Sequence, residues 1–137
     1  MSGAKDLYHP ELLELAEDES RAGVAEPTTH RGSARNPLCG DRIDVTLAAE
    51  ESFDQVRYNV RGCAITKASA ALMAKLLEGE QTLSREEFSR KLHEAIDPDG
   101  PEQVDPRFEA FVVLRKVRSR RRCATLPWEA LEKSLSK

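Results

Sequence analysis

The hydrophobic pattern of this chain changes its period once, between Val60 and Thr66, and that change sets the architecture. Before it, Arg42-Ile43-Asp44-Val45-Thr46-Leu47 and Phe53-Asp54-Gln55-Val56-Arg57-Tyr58-Asn59-Val60 alternate polar with apolar and are rich in β-branched or aromatic residues, the signature of half-buried strands. The short acidic connection Ala48 to Ser52 fits a hairpin loop, so the two strands form an antiparallel pair. After it, Ala68, Leu72 and Leu76, with Ala71, Met73 and Leu77, recur at helical spacing from Thr66 to Glu78, and Gly79 stands where a helix ends. Strands first and helices after predict an α+β fold, a small antiparallel β-sheet packed against several helices.

Further helices carry local signals. Asp6 to Glu19, with Leu7, Leu12, Leu13, Leu15 and Ala16 among acids, reads as a short amphipathic helix. Val24 to Pro37 has no clear period and reads as a loop or an irregular edge strand. Ser84 with Glu87 makes a capping box, Leu83 can staple onto Phe88, and the helix they open runs to about Ile96. Asp97-Pro98-Asp99-Gly100-Pro101 stops it. A third helix is predicted from Asp105-Pro106 through Phe108, Phe111, Val112 and Leu114, and a last one after Pro127, with Trp128, Leu131 and Leu135 on one stripe. At 137 residues the chain is expected to form a single domain over 1–137, with 1–35 the segment its pattern constrains least. Aromatic residues are only 5%, so aliphatic packing must supply most of the core.

An odd number of cysteines, three, without a secretory leader or a long apolar run, points to a reducing, cytoplasmic setting and away from a membrane. The net charge of −3 gives no global bias toward nucleic acid, but acid crowds the N-terminus and base the end.

The chemistry lies in Asn36-Pro37-Leu38-Cys39-Gly40-Asp41, Gly62-Cys63-Ala64-Ile65-Thr66 and Arg122-Cys123-Ala124-Thr125-Leu126. Three thiolates and a carboxylate, Cys39, Asp41, Cys63 and Cys123, suit the tetrahedral geometry and borderline softness of zinc. No two cysteines form a CxxC pair, so such a site is assembled only when the whole domain folds. Two simpler readings stand beside it. The cysteines can be small core hydrophobes, and Asp41 can cap a turn or pair with Arg42. His9, His30 and His93 read as surface residues, and only His30 is close enough in sequence to Cys39 to be a rival ligand.

Those three segments, together with Arg42-Ile43, Lys67-Ala68-Ser69 and Pro127-Trp128-Glu129-Ala130-Leu131, resemble the U-type iron–sulfur cluster assembly proteins, the IscU/NifU N-terminal family, and especially its SufU-like branch. The resemblance runs from Asn36 to the C-terminus in order and spacing. It implies that Cys39, Asp41, Cys63 and Cys123 are the metal ligands. IscU-like members have a histidine immediately before the last cysteine, where this chain has Arg122, and Cys63 and Cys123 lie 60 positions apart, as in SufU. The resemblance therefore implies a zinc-dependent sulfurtransferase that takes persulfide sulfur from a SufS-type cysteine desulfurase, with other iron–sulfur assembly proteins as further partners.

Sulfur transfer needs a thiolate to attack the outer sulfur of a persulfide, and a free thiol is mostly protonated at neutral pH. Zinc lowers that pKa. Cys39, in a Pro-Leu-Cys-Gly loop that can swing, is the candidate catalytic thiol, while Cys63 and Cys123, each expected just before a helix, suit fixed ligands. Lys67 would add positive charge beside Cys63. The basic run Arg115 to Arg122 has no interleaved aromatic residue, which disfavours nucleic acid and leaves a solvated turn or a docking patch for an acidic partner. Three functions remain open: the zinc-dependent sulfur acceptor, a scaffold that assembles and hands on a [2Fe–2S] cluster with iron in place of zinc, and a structural zinc domain with an Arg-rich binding surface.

Overall fold

A three-stranded antiparallel meander lies at the centre of the computed structural model, which describes residues 10–37, 40–49, 53–79 and 83–136. Strand β1 (His30–Asn36) pairs with β2 (Asp41–Ala49), and β2 pairs with β3 (Phe53–Arg61), in the order β1-β2-β3. The register sets Gly32 opposite Val45, Ala34 opposite Ile43 and Asn36 opposite Asp41, while Leu47, Val45 and Ile43 face Val56, Tyr58 and Val60. Because strand side chains alternate, these residues share one face. Ile43, Val45, Leu47 and Val56 are wholly buried there, each stabilising the fold by about 1.5–3 kcal/mol.

Helices α2 (Ala64–Glu78) and α4 (Arg121–Leu135) close that face, α2 over β3 and α4 over β1 and β2. Helix α1 (Pro10–Glu17) packs on α2 through the buried Leu12, and α3 (Arg85–Ile96) rests against a 3-10 segment, Pro106–Lys116. The core they share takes in Phe88, Phe108, Phe111 and Leu131, and the Phe108 and Trp128 rings tilt at 56° with centroids 6.4 Å apart. The α+β arrangement is the one the period change predicts.

The strands read at 42–47 and 53–60, the Ser84–Glu87 capping box and the helix ending at Glu78 are all present. Differences lie elsewhere. The segment read as a loop or irregular edge contains a regular seven-residue strand, β1. Gly32, at an inward position of β1, carries no side chain because α4 crosses directly over it. A Cβ on Gly32 would meet the Ala130 carbonyl oxygen and the Ser134 amide nitrogen at 2.4 Å. The last helix does not follow Pro127 but contains it, starting at Arg121 with a 3-10 turn, Arg118–Arg120, before it. Asp105 does cap the segment that follows, its carboxylate accepting from the Arg107 amide at 2.9 Å, but that segment is 3-10 rather than α-helical. The predicted first helix is described only from Pro10, and the tip of the β2–β3 hairpin, residues 50–52, lies outside the described residues.

Candidate metal centre

Asp41, Cys63 and Cys123 come from three elements and meet at one end of the sheet. Asp41 opens β2, placed by a turn in which the Gly40 amide donates to the Asn36 carbonyl at 2.8 Å; Gly40 has φ +79, a conformation that glycine adopts without steric cost. Cys63 is the N-cap of α2, yet its side chain makes no capping hydrogen bond, so its sulfur is left for other work at the positive end of the helix. Cys123 lies in the first turn of α4, not before the helix as its sequence suggests, and is fully buried. The buried Ser69 hydroxyl fixes that turn to α2 by donating to the Ala124 carbonyl at 2.5 Å.

One carboxylate oxygen and the two sulfurs lie within 4.8 Å of one another, and Cys63 Sγ is 3.4 Å from Asp41 Oδ2. Ligand atoms at the corners of a zinc tetrahedron with the usual bond lengths lie about 3.6–3.8 Å apart, so the spacing fits a shared metal ion. The donor set fits as well, two soft thiolates with one hard carboxylate oxygen. Asp41 does not pair with Arg42, which bonds Asp44 instead. Its Oδ2 accepts from the buried Thr66 hydroxyl at 2.8 Å, and Thr66 Oγ1 also sits 3.7 Å from Cys63 Sγ. Gly62 flanks the carboxylate so closely that a Cβ there would lie 2.6 Å from Asp41 Cγ.

The electrostatics show what the cluster demands. The hydrogen bond from Cys123 draws the Cys63 thiol down to about 6, against the opposing effect of burial and with help from Thr66. The same bond, with burial, pushes the Cys123 thiol well up, so the pair shares one proton over a wide pH range. Burial raises the Asp41 pKa, but hydrogen bonds from Thr66, Cys123 and Cys63 outweigh it and hold the carboxyl below the usual range. When Cys63 ionises, its hydrogen bond to Asp41 is lost and a thiolate and a carboxylate are left 3.4 Å apart, a repulsion that a cation relieves.

Arg120 supplies one positive charge. Attraction to the Cys63 thiolate, with contacts to Cys123, raises the pKa of its guanidinium. Lys67 lies instead in a separate depression with Glu17, Glu19 and Tyr58. Arg120, Thr66 and Gly62 are not among the site residues the sequence predicts; spacing is a signal for two of them, since Arg120 precedes Cys123 by one helical turn and Thr66 follows Cys63 by one. Cys39 lies outside the described residues, two positions before Asp41. His30 is opposite Leu47 at the far end of β1, and His93 is exposed with Nδ1 against the Ser89 carbonyl, so neither joins the cluster; His9 is not described. Arg122, at the position where IscU-like members have a histidine, pairs with Glu129 at 3.2 Å.

Fold and site together define an α+β domain built around a candidate thiolate–carboxylate metal centre. The chain belongs to the NifU-like N terminal domain family, which it matches over residues 7–137. It is 32% identical over 106 residues to the zinc-dependent sulfurtransferase SufU of Bacillus subtilis, covering 74% of this chain and 71% of that protein. It is 26% identical over 138 residues to the iron–sulfur cluster assembly scaffold protein IscU of Thermotoga maritima, covering 97% and 95%. The fold matches the crystal structure of a nitrogen-fixing NifU-like protein (N-terminal) from Brucella abortus with a TM-score of 0.84 at 22% identity, covering 98% of this chain and 95% of that one. The resemblance to U-type iron–sulfur cluster assembly proteins with a SufU-like branch is borne out. Among the described residues no helix is long and apolar enough to cross a membrane.

Proposed function

We propose that this protein is a zinc-dependent sulfur acceptor in iron–sulfur cluster assembly, taking persulfide sulfur from a SufS-type cysteine desulfurase on Cys39. The observation that carries the reading is the convergence of Asp41, Cys63 and Cys123 within 4.8 Å, with Arg120 rather than a histidine beside the sulfurs. These three residues would hold zinc with Cys39 as the fourth ligand, and the bound ion would keep its thiolate ligands deprotonated at neutral pH. The similarity to a zinc-dependent sulfurtransferase supports the same reading.

The chain's own residues divide the work. Thr66 orients the Asp41 carboxylate, the α2 N-terminus favours the Cys63 thiolate, and the Ser69 bond holds Cys123 in place. In the transfer step the Cys39 thiolate attacks the outer sulfur of the donor's persulfide. A new sulfur–sulfur bond forms, the donor's own sulfur–sulfur bond breaks, and the donor cysteine leaves as a thiolate. Arg120 lies where it favours negative charge on sulfur.

The assay is sulfide or alanine release by a cysteine desulfurase with free cysteine. The parent is expected to accelerate turnover, Cys39→Ala to abolish the acceleration, and Cys39→Ser to retain part of the zinc while losing transfer. Full activity of Cys39→Ala beside a dead Cys63→Ala overturns the assignment of the acceptor. Metal analysis of anaerobically purified protein separates this function from the scaffold: one zinc per chain without sulfide supports the acceptor, and iron with acid-labile sulfide supports the scaffold.

A further inference from the structure

The face of the sheet turned away from the helices carries a row of arginines in register across all three strands. Arg35 of β1 pairs in register with Arg42 of β2, which pairs with Arg61 of β3. Directly opposed positions on neighbouring strands lie only about 4.5–5.5 Å apart at Cα, and like charges placed so repel. All three are exposed. Arg42 is partly neutralised by Asp44 at 3.1 Å, whereas Arg35 and Arg61 have no ion pair among the described residues. Arg42, Asp44, Asn59, Val60 and Arg61 line a shallow depression of about 480 Å³ on this side.

The position of the row matters as much as its charge. Arg42 directly follows Asp41, and Arg61 stands two positions before Cys63, so the row occupies the same end of the sheet as the candidate metal centre but the opposite face. A protein seated on it would sit at the rim of the site without covering the sulfurs.

We propose that Arg35, Arg42 and Arg61 form a docking row for a strip of carboxylates on the protein that donates sulfur; the choice of that partner rests on the function proposed above. Charge complementarity selects the occupant. A line three guanidinium groups wide matches a short acidic segment, while the protein as a whole carries a net charge of −3 and an acidic α1 with Glu11, Glu14 and Glu17, which repel an extended polyanion such as nucleic acid. The row is distinct from the basic run 115–122, whose Arg115, Arg120 and Arg122 are occupied within the fold. Exposed charges of this kind act chiefly on the rate of encounter.

The test uses the zinc-loaded, full-length protein and compares the parent with Arg35→Glu/Arg61→Glu, with Arg118→Glu as a control elsewhere on the surface. Binding to the cysteine desulfurase is measured at low and high salt. The double reversal is expected to slow association by about tenfold or more at low salt, with the difference closing at high salt and zinc content unchanged. Equal association of parent and double variant at every salt concentration overturns the row. A second probe, a decaglutamate peptide titrated by NMR, is expected to shift the Arg35 and Arg61 signals of the parent and to leave the variant's sheet unperturbed. Loss of desulfurase stimulation by the parent together with retained decaglutamate binding on this row removes the sulfur-acceptor reading and keeps the acidic docking surface. Full stimulation with the row reversed removes the surface and keeps the function. A short DNA duplex retarded by the parent and not by the double variant assigns the row to nucleic acid and overturns the proposal.

Discussion

Replacing Gly62 by alanine should impair metal binding while leaving the fold almost untouched. The added Cβ would lie 2.6 Å from Asp41 Cγ and 2.7 Å from its Oδ1. Ordinary contact between such atoms begins near ~3.4 Å, so the two groups must separate by about 0.8 Å. The backbone of residue 62 has little room to give, because Arg61 is the last paired residue of β3 and Cys63 is the N-cap of α2. The carboxylate, the free end of a side chain, moves instead. Metal–ligand distances tolerate about 0.2 Å, so the displaced oxygen no longer serves the same site. Disturbing the support of a ligand typically weakens metal affinity about 10–100-fold, or roughly 1.4–2.7 kcal/mol. Competition against a zinc chelator reads this directly. The metal-free melting temperature should change by no more than a few degrees, since Gly62 is exposed and no buried apolar contact is lost. An alanine variant that binds zinc as tightly as the parent would refute the placement of Asp41 as a ligand.

Other outcomes follow from the same geometry. In metal-free protein, the Cys63 pKa, lowered to about 6 from 9.0, makes its thiolate a source of stability present above pH 9 and lost as pH falls through about 6; the raised pKa of Cys123 acts oppositely, withdrawing stability as pH climbs beyond 9. Denaturant unfolding across pH 5 to 10 should therefore show stability rising with pH between about 6 and 9, and a Cys63→Ser variant that retains the same rise would contradict the shared proton. Arg115 donates to the carbonyls of Glu94, Ala95 and Pro101 at 2.7–2.9 Å. Arg115→Ala should cost about 2 kcal/mol in denaturant unfolding with zinc content unchanged, whereas Arg118→Ala should be within about 0.5 kcal/mol of the parent. Gly32→Ala forces a Cβ into the backbone of α4 at 2.4 Å and should cost about 3 kcal/mol or more; a melting temperature equal to the parent's would disprove the close crossing.

What could be read from the sequence tracks how strongly each segment advertises its environment. The strands at 42–47 and 53–60 bury one apolar face against helices, so their alternation is plain, and Ser84 with Glu87 declares a helix start by chemistry alone. Strand β1 gives no such sign because the positions it turns inward are Gly32, Ala34 and Asn36, none of them large and apolar, and at Gly32 the nearness of α4 leaves no room for a side chain. Pro127 suggests a helix start because proline suits a first turn, yet burial of Cys123, Ala124 and Leu126 extends the helix back past it. The sequence brought Asp41, Cys63 and Cys123 under one chemistry, but it could not show that Arg120 turns toward the sulfurs while Arg122 turns away, a choice made by the phase of α4. The basic run is therefore not one surface: Arg115 ties down α3, Arg120 turns to the sulfurs, and Lys116, Arg118, Ser119 and Arg122 are exposed.

Pro127 gives the last helix an unequal construction. Lacking an amide hydrogen, it leaves the Cys123 carbonyl without the donor that an α-helix would place four residues later, and its ring crowds that carbonyl. The rear of α4, from Trp128 to Leu135, is locked to β1 by the Gly32 crossing, while the leading turn with Cys123 is tied to α2 by the Ser69 bond and by the contact of Cys123 with Cys63. The helix is thus an anchored rod whose leading turn is held by side-chain bonds where its own backbone ladder is broken, so the position of the buried Cys123 sulfur is set by α2 as much as by α4 itself.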